Sequence, residues 1–381
     1  MKKYFLMVFF ATLMIVLALG QGNRPTKELS QKENQAAYKK GLELDQIPRG
    51  ATELELKYVI PSDKEMEEKE IFFRNVLNFS MDDRRHIYIP DGALCMVYEL
   101  NAEGKFVHKY DKKGQGPGEL QFPLLVIPFN QQVIVLDGRV GRMIFFDRDW
   151  KYVKSISLFK RYFRVALGSN GLLYCSDPLG DRLISILNTE GKMIGSFGEL
   201  PYKTRSPLNR FVLAVSPAGS IWVGMSALCI LKKISSTGYL DLEIDITKIS
   251  SQWIKNNLKE NFQLAKEGVQ GHTVLLQALA FIGEDVLVMN GGIVQPIYRF
   301  DPYGHLKNTY YIPPKMAVYK NYFYALKEKN GEERFYILQD DHDTGDIRIG
   351  VYGRKNKTIS NQKKDNHEKE KSVAHSGSIG R

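Results

Sequence analysis

Hydrophobic and polar positions along this chain fall into a short unit that recurs. Each copy has a β-type run ending in a small or polar residue, a turn, a second β-type run, and a turn centred on glycine. The first copy is Ile87-Tyr88-Ile89-Pro90-Asp91, then Met96-Val97-Tyr98-Glu99-Leu100, then Asn101-Ala102-Glu103-Gly104. Further copies start at Val133, Leu173, Ile221 and Val286. From the polar end of the first run to the turn residue, the steps are 91 to 104, 137 to 150, 177 to 191, 225 to 238 and 290 to 304. Two neighbouring strands of one sheet need such constancy, because strand and loop lengths fix their register. The copies begin 46, 40, 48 and 65 residues apart, against about 40–50 for a propeller blade.

A weaker sixth copy runs through Tyr322–Leu326, Arg334–Leu338 and Ile347–Val351. The alternating segment Leu54–Ile60 has no unit of its own, and the pattern predicts that it completes the last blade and closes a ring. Closure leaves no long sheet edge open. The expected fold is thus all-β, a six-bladed propeller over residues 51–353 with one short helical insertion at 248–268. Within that insertion a helix is predicted over about Gln252–Lys266, capped by Ser250 and stopped by Gly268. Ile254, Leu258, Phe262 and Ala265 share its apolar face. It is expected to pack on the side of the ring; a lid over one face is the alternative.

Both chain ends read differently. Lys2 and Lys3 head an apolar run, Tyr4–Leu19, too short for an ordinary bilayer span, and Ala18-Leu19-Gly20 follows a signal-peptidase pattern. Residues 1–20 are expected to be a signal peptide, giving a periplasmic or extracellular protein. Membrane contact is expected only if that segment stays uncleaved. Residues 21–50 read as a flexible polar linker and 354–381 as a disordered basic tail. The net charge of +10 divides into +2 from the first segment, +5 from the tail and +3 for the body. A body so weakly charged does not argue for a nucleic-acid partner, and none is expected. A monomer is expected. Cys95, Cys175 and Cys229 each lie in apolar runs and read as small buried strand residues, with one disulfide left open.

The string Gly114-Gln115-Gly116-Pro117-Gly118-Glu119-Leu120, followed by Pro123, resembles the inter-blade segment of NHL-repeat propellers, and most nearly the bacterial proteins named 6-bladed beta-propeller. The resemblance covers about residues 52–353. It implies the fold more than an activity, since the family is mostly without one. Many relatives are lipid-anchored, and this chain has no cysteine near the cleavage point. Read as residues, Gly114, Gly116, Pro117, Gly118 and Glu119 form a structural loop: glycine permits close approach and proline stiffens the path. A phosphate loop would need a Lys-Ser/Thr pair and a following helix.

Asp137 and Arg142 are five apart, as are Asp177 and Arg182. Either these are ion pairs shaping a turn, or they join Asp91 and Arg139 in a charged ring that holds an anionic ligand or a partner loop. Asp91, Asp137, Arg139, Arg142, Asp177 and Arg182 are therefore the candidate ligand-binding set. His86, His108, His272, His305 and His342 show no short metal-ligand spacing, and no cofactor is expected. The alternative is a calcium- or zinc-dependent propeller hydrolase or lyase, with Asp91, Asp137, Asp177 and Asn290 at the pore. Those positions also suit local turn hydrogen bonding. No Ser-His-Asp or Cys-His arrangement stands out, and G-x-S-x-G does not occur. Tyr310, Tyr311, Tyr319, Tyr322 and Tyr324 could stack on sugars, but read first as blade packing. The expected function is a binding or scaffold module for a protein, peptide or glycan partner in the bacterial envelope.

Overall fold

A computed structural model describes residues 47–355, apart from 159, 161, 163, 177–180, 203–205, 270, 293, 314–317 and 341–345. The signal segment, most of the linker, Asp177 and nearly all of the basic tail lie outside the described residues. β1 (Thr52–Ile60) opens the described strands. A first antiparallel sheet follows: β2 (Ser80–Met81), β3 (Ile87–Asp91), β4 (Met96–Leu100) and β5 (Phe106–Tyr110). The second is β6 (Pro123–Phe129), β7 (Gln132–Asp137), β8 (Arg142–Asp147) and β9 (Tyr152–Ser157). The third is β10 (Val165–Leu167), β11 (Leu173–Ser176), β12 (Ile184–Leu187) and β13 (Met193–Phe197). The fourth is β14 (Phe211–Val215), β15 (Ile221–Met225), β16 (Ile230–Ile234) and β17 (Leu240–Asp245).

The remaining strands are β18 (Leu276–Ile282), β19 (Asp285–Asn290), β20 (Ile297–Phe300), β21 (Leu306–Tyr311), β22 (Val318–Lys327), β23 (Glu333–Asp340) and β24 (Ile347–Arg354). With β1 they form a single eight-stranded sheet in the order β18-β19-β20-β21-β1-β24-β23-β22. This corrects the expectation of six separate sheets: among the described residues there are four sheets of four strands and one of eight. The cause is β1, which pairs on both of its edges. It runs antiparallel to β24 from Leu54↔Arg354 to Ile60↔Ile349, while Thr52 and Glu53 pair in parallel with Tyr310 and Tyr311. The predicted pairing of 54–60 with the last strand is thereby observed.

Burial explains the propeller-like arrangement. Each sheet is apolar on both faces, as when sheets stack side by side around an axis. Tyr88, Val97 and Tyr110 of the first sheet pack on Val133, Val135 and Phe146 of the second. Similar clusters join the second to the third, the third to the fourth, and the fourth to β18–β20. A further cluster joins β18–β20 to β22 and β23, and another returns from β23 and β24 to the first sheet through Tyr336, Ile349 and Ile87. At about 1.5–3 kcal/mol per fully buried large side chain, these contacts dominate stability.

The connectivity gives the ring two different ends. Turns between first and second strands, and between third and fourth, lie at one end. Turns between second and third strands, and crossings from sheet to sheet, lie at the other, which we call the crossing end. The insertion forms α2 (Gln252–Lys266), while α1 (Asp63–Glu68) is a short turn after β1. Ser251, not Ser250, caps α2: its side chain accepts from the Ile254 N–H. Ser250 is buried, donates to the Ile246 carbonyl and accepts from Asn290. The helix packs against the crossing end and not the side, because buried Asn261 donates to the Ala227 and Thr273 carbonyls at 2.9 Å each. Phe262, expected on the apolar face, is 37% exposed.

Candidate functional site

The two described aspartates of the predicted set, Asp91 and Asp137, sit at the crossing end, inside the protein. Asp91 is fully buried. Its carboxylate accepts from the Arg74 and Asn75 amides upstream, at 2.6 and 3.2 Å, and from the Ala93 and Leu94 amides of its own turn, at 3.0 Å each. Asp137 repeats this: it accepts from Gln121 at 2.8 Å, Phe122 at 3.1 Å and Arg139 at 3.2 Å. Each aspartate staples the incoming chain to the second-to-third turn. The two do not converge on one point, and local hydrogen bonding accounts for both carboxylates.

Arg142 has a similar structural use. Its guanidinium lies 3.9 Å from Asp137, beyond a hydrogen bond, and donates instead to the carbonyls of Gln115 at 2.9 Å, Gly116 and Glu119. It thereby ties down the glycine-rich crossing loop. Within that loop Glu119 Oε2 accepts from the Gly116 amide at 2.7 Å, and the Tyr110 hydroxyl donates to the Gly118 carbonyl at 2.8 Å. A side chain at position 114 would place its Cβ 2.0 Å from the Glu119 carboxylate, and Gly118 has φ +77°. Both positions therefore require glycine. Pro117 is exposed at the loop tip.

Arg139 and Arg182 remain at the surface. Arg139 overhangs a cleft of about 340 Å³ between the first and second sheets. Gly92, Ala93 and Cys95 of one turn form one wall, and Lys113, Gln121 and Phe122 of the crossing form the other. Gly92 is required there, since a Cβ would lie 2.6 Å from the Phe122 ring. Cys95 and Cys229 are turn residues with φ of 60° and 58°, not strand residues; only Cys175 lies in a strand. None of the three is in a disulfide, and all are buried.

The crossing end also carries Arg74, Arg164 and Arg210, placed there by their main-chain bonds to Asp91, Ser176 and Ser226. Sequence reasoning missed these residues and Lys113, because they lie in aperiodic segments that lead into the inner strands. Arg74, Lys113, Arg139, Arg164, Arg182 and Arg210 make no ion pair with any described acid. At the opposite end four arginines are paired: Arg148–Asp82 at 2.9 Å, Arg85–Glu328 at 2.6 Å, Arg299–Asp285 at 2.6 Å and Arg354–Glu333 at 2.8 Å. Beside Arg210, His272 is buried with neither ring nitrogen hydrogen-bonded, and burial brings its pKa down to about 4. Among the described residues no three His, Cys, Asp or Glu side chains are grouped to hold a metal ion.

No protein-family model matches this chain, and no curated protein matches it. Solved structures do. A candidate exported protein of Bacteroides fragilis, BF0058, aligns with TM-score 0.54 at 13% identity, over 81% of this chain and 98% of its own. A member of the DUF4221 family from Bacteroides vulgatus aligns with TM-score 0.52 at 9% identity, over 80% and 99%. Virginiamycin B lyase from Staphylococcus aureus gives 0.47 at 13%, over 77% and 87%. The likeness to the first two is one of fold: a mostly β chain in a propeller-like arrangement.

Proposed function

We propose that this chain is an exported six-bladed propeller that works as a non-enzymatic binding module, with the crossing end as its recognition surface and an acidic protein, peptide or glycan as its partner. The observation that carries this reading is the set of basic side chains at that end without carboxylate partners among the described residues, two of them beside a cleft of about 340 Å³. Lone surface cations cost little to leave in water, but a set confined to one end of a ring makes a positive field there. The six-blade count is supported by the eight-stranded sheet itself: its two antiparallel halves meet only through two parallel residue pairs. Export is supported by the Lys-headed apolar N-terminus and by the likeness to a candidate exported protein.

The test uses a chain ended at Lys355, so that the basic tail contributes no charge, on immobilised polyglutamate and on immobilised heparin. Lys113→Gln, Arg139→Gln and Arg210→Gln should each weaken retention roughly twofold to fivefold and leave the unfolding midpoint unchanged. Retention that is absent, or unaffected by all three together, contradicts the reading. The column that responds tells peptide from glycan.

A further inference from the structure

We infer that the cleft under Arg139 seats one residue of a partner: the last of its chain, apolar in its side chain and ending in a free carboxylate. The inference rests on the recognition surface proposed above and narrows it to one chemical group.

The walls of this cleft are braced to one another. Cys95 Sγ donates to the Gln121 carbonyl at 2.9 Å, which joins the turn to the crossing. The Gly92 amide donates to the Asn75 carbonyl and the Gly138 amide to the Phe122 carbonyl, each at 3.0 Å. Asp137 holds the Gln121 amide at 2.8 Å, and the Gly114 amide reaches the Leu120 carbonyl at 3.0 Å. A site held in this way needs little ordering when a ligand enters. Its volume of about 340 Å³ lies at the small end of the range of about 300–1,000 Å³ usual for ligand sites. That is room for a single residue with its terminal group, not for a polymer running through.

The lining is of two kinds. Ala93, Cys95 and Phe122 are apolar, while Lys113 and Arg139 are cations that pair with no described acid. The acids close by are committed elsewhere: Asp91 and Asp137 to backbone amides, and Glu119 to the Gly116 amide at 2.7 Å. Lys113 and Arg139 therefore keep their donors for an anion from outside. Gln121 bonds through its main chain, so among the described residues its side-chain amide keeps both donor and acceptor unspent. An acidic residue in mid-chain would meet the cations but leave the apolar wall bare, and would bring backbone on both sides. A terminal residue carries its carboxylate and its side chain on one carbon, with backbone on one side only. Its carboxylate then meets Lys113 and Arg139, its side chain covers Ala93 and Phe122, and its peptide group matches the Gln121 amide. A free small acid has no such peptide group, which favours a chain end as the source.

The experiment measures binding of fluorescent five-residue peptides to the full chain by anisotropy. One peptide ends in phenylalanine with a free carboxylate, and the second is its terminal amide. The third is also an amide but has a glutamate in mid-chain, which restores the charge and not its position. The first should bind at least about tenfold more tightly than either amide, and unlabelled phenylpropionate should compete at least about tenfold less well than the unlabelled first peptide. The paired substitution Lys113→Gln/Arg139→Gln should abolish the preference for the free carboxylate. Ala93 is exposed, so Ala93→Leu should fold; it fills the cleft and leaves every charge in place. That variant should lose the first peptide at least about tenfold while polyglutamate and heparin retain it as they retain the parent. The inference is overturned if the parent shows no preference for the free carboxylate, if phenylpropionate competes as well as the peptide, or if Ala93→Leu binds the first peptide as the parent does. Any of these with retention on polyglutamate or heparin intact leaves the recognition surface standing. A preference for the free carboxylate without such retention is failure of the broader reading alone.

Discussion

Trp150 stands where the repeat asks for glycine. The turns between third and fourth strands place Gly104, Gly191, Gly238 and Gly304 at φ of 72° to 91°, and Trp150 at 58°. Left-handed backbone costs a non-glycine residue about 1–2 kcal/mol. The indole offsets this. It stacks on Tyr110 and His108 with centroids at 5.4 and 5.7 Å, and donates at 2.7 Å to Glu99, whose other oxygen meets His86. Trp150→Gly should relieve the turn yet destabilise the protein by about 2–4 kcal/mol in denaturant titration, because a large ring and the partner of a buried carboxylate are both lost. A more stable variant would show that the strain outweighs the packing. His272 makes a second prediction at this scale. Its pKa is about 4 in the folded chain and 6.5 in the unfolded one, so the unfolded state binds the extra proton between those values. Stability should be full above pH 6.5 and fall as pH drops toward 4, by at most about 3 kcal/mol. His272→Leu should flatten that part of the pH profile.

Among the elements, the joint between the eight-stranded sheet's two halves carries the densest polar network. Glu333 receives Arg299, Arg354 at 2.8 Å and the Tyr310 hydroxyl at 3.0 Å; Arg299 also holds Asp285, which takes Lys307 at 2.7 Å. These arginines keep the Glu333 carboxyl below its ordinary range despite burial. Glu333→Gln should therefore cost about 3–5 kcal/mol, since it leaves Arg299 enclosed with half its partners. The loss should shrink in acid, as the parent's carboxylate protonates. The elements most legible in sequence were the second and third strands of each sheet, such as β3 with β4 and β7 with β8, which are long, apolar and joined by turns of constant length. The inner strands were not. β2 has two residues and β10 three, too few to show a period of two. Cys95 and Cys229 read as strand residues because their turns are buried between sheets and so are apolar. The staples on Asp91 and Asp137 were hidden for another reason: they reach amides 15–17 residues upstream, a separation no local pattern displays.

For the whole molecule, the consequence of this topology is polarity. The chain returns to one end each time it leaves a sheet, so that end gathers the crossings, the glycine-rich loop, the cleft and the helix α2. Asp91 and Asp137 at that end are used up by backbone amides, and although Arg348 there pairs with Asp63 at 2.9 Å, Arg74, Lys113, Arg139, Arg182 and Arg210 pair with no described acid. Carboxylates at the opposite end are instead spent on arginines. Recognition of an acidic partner should then be confined to one end of the ring. The most direct measurement is backbone hydrogen exchange of the chain ended at Lys355, with and without saturating polyglutamate or heparin, whichever it retains. Slowed exchange in the segments 92–95, 112–122 and 138–141 is the predicted result; slowing confined to the opposite end, at 82–86, 147–151 and 328–333, would contradict the account.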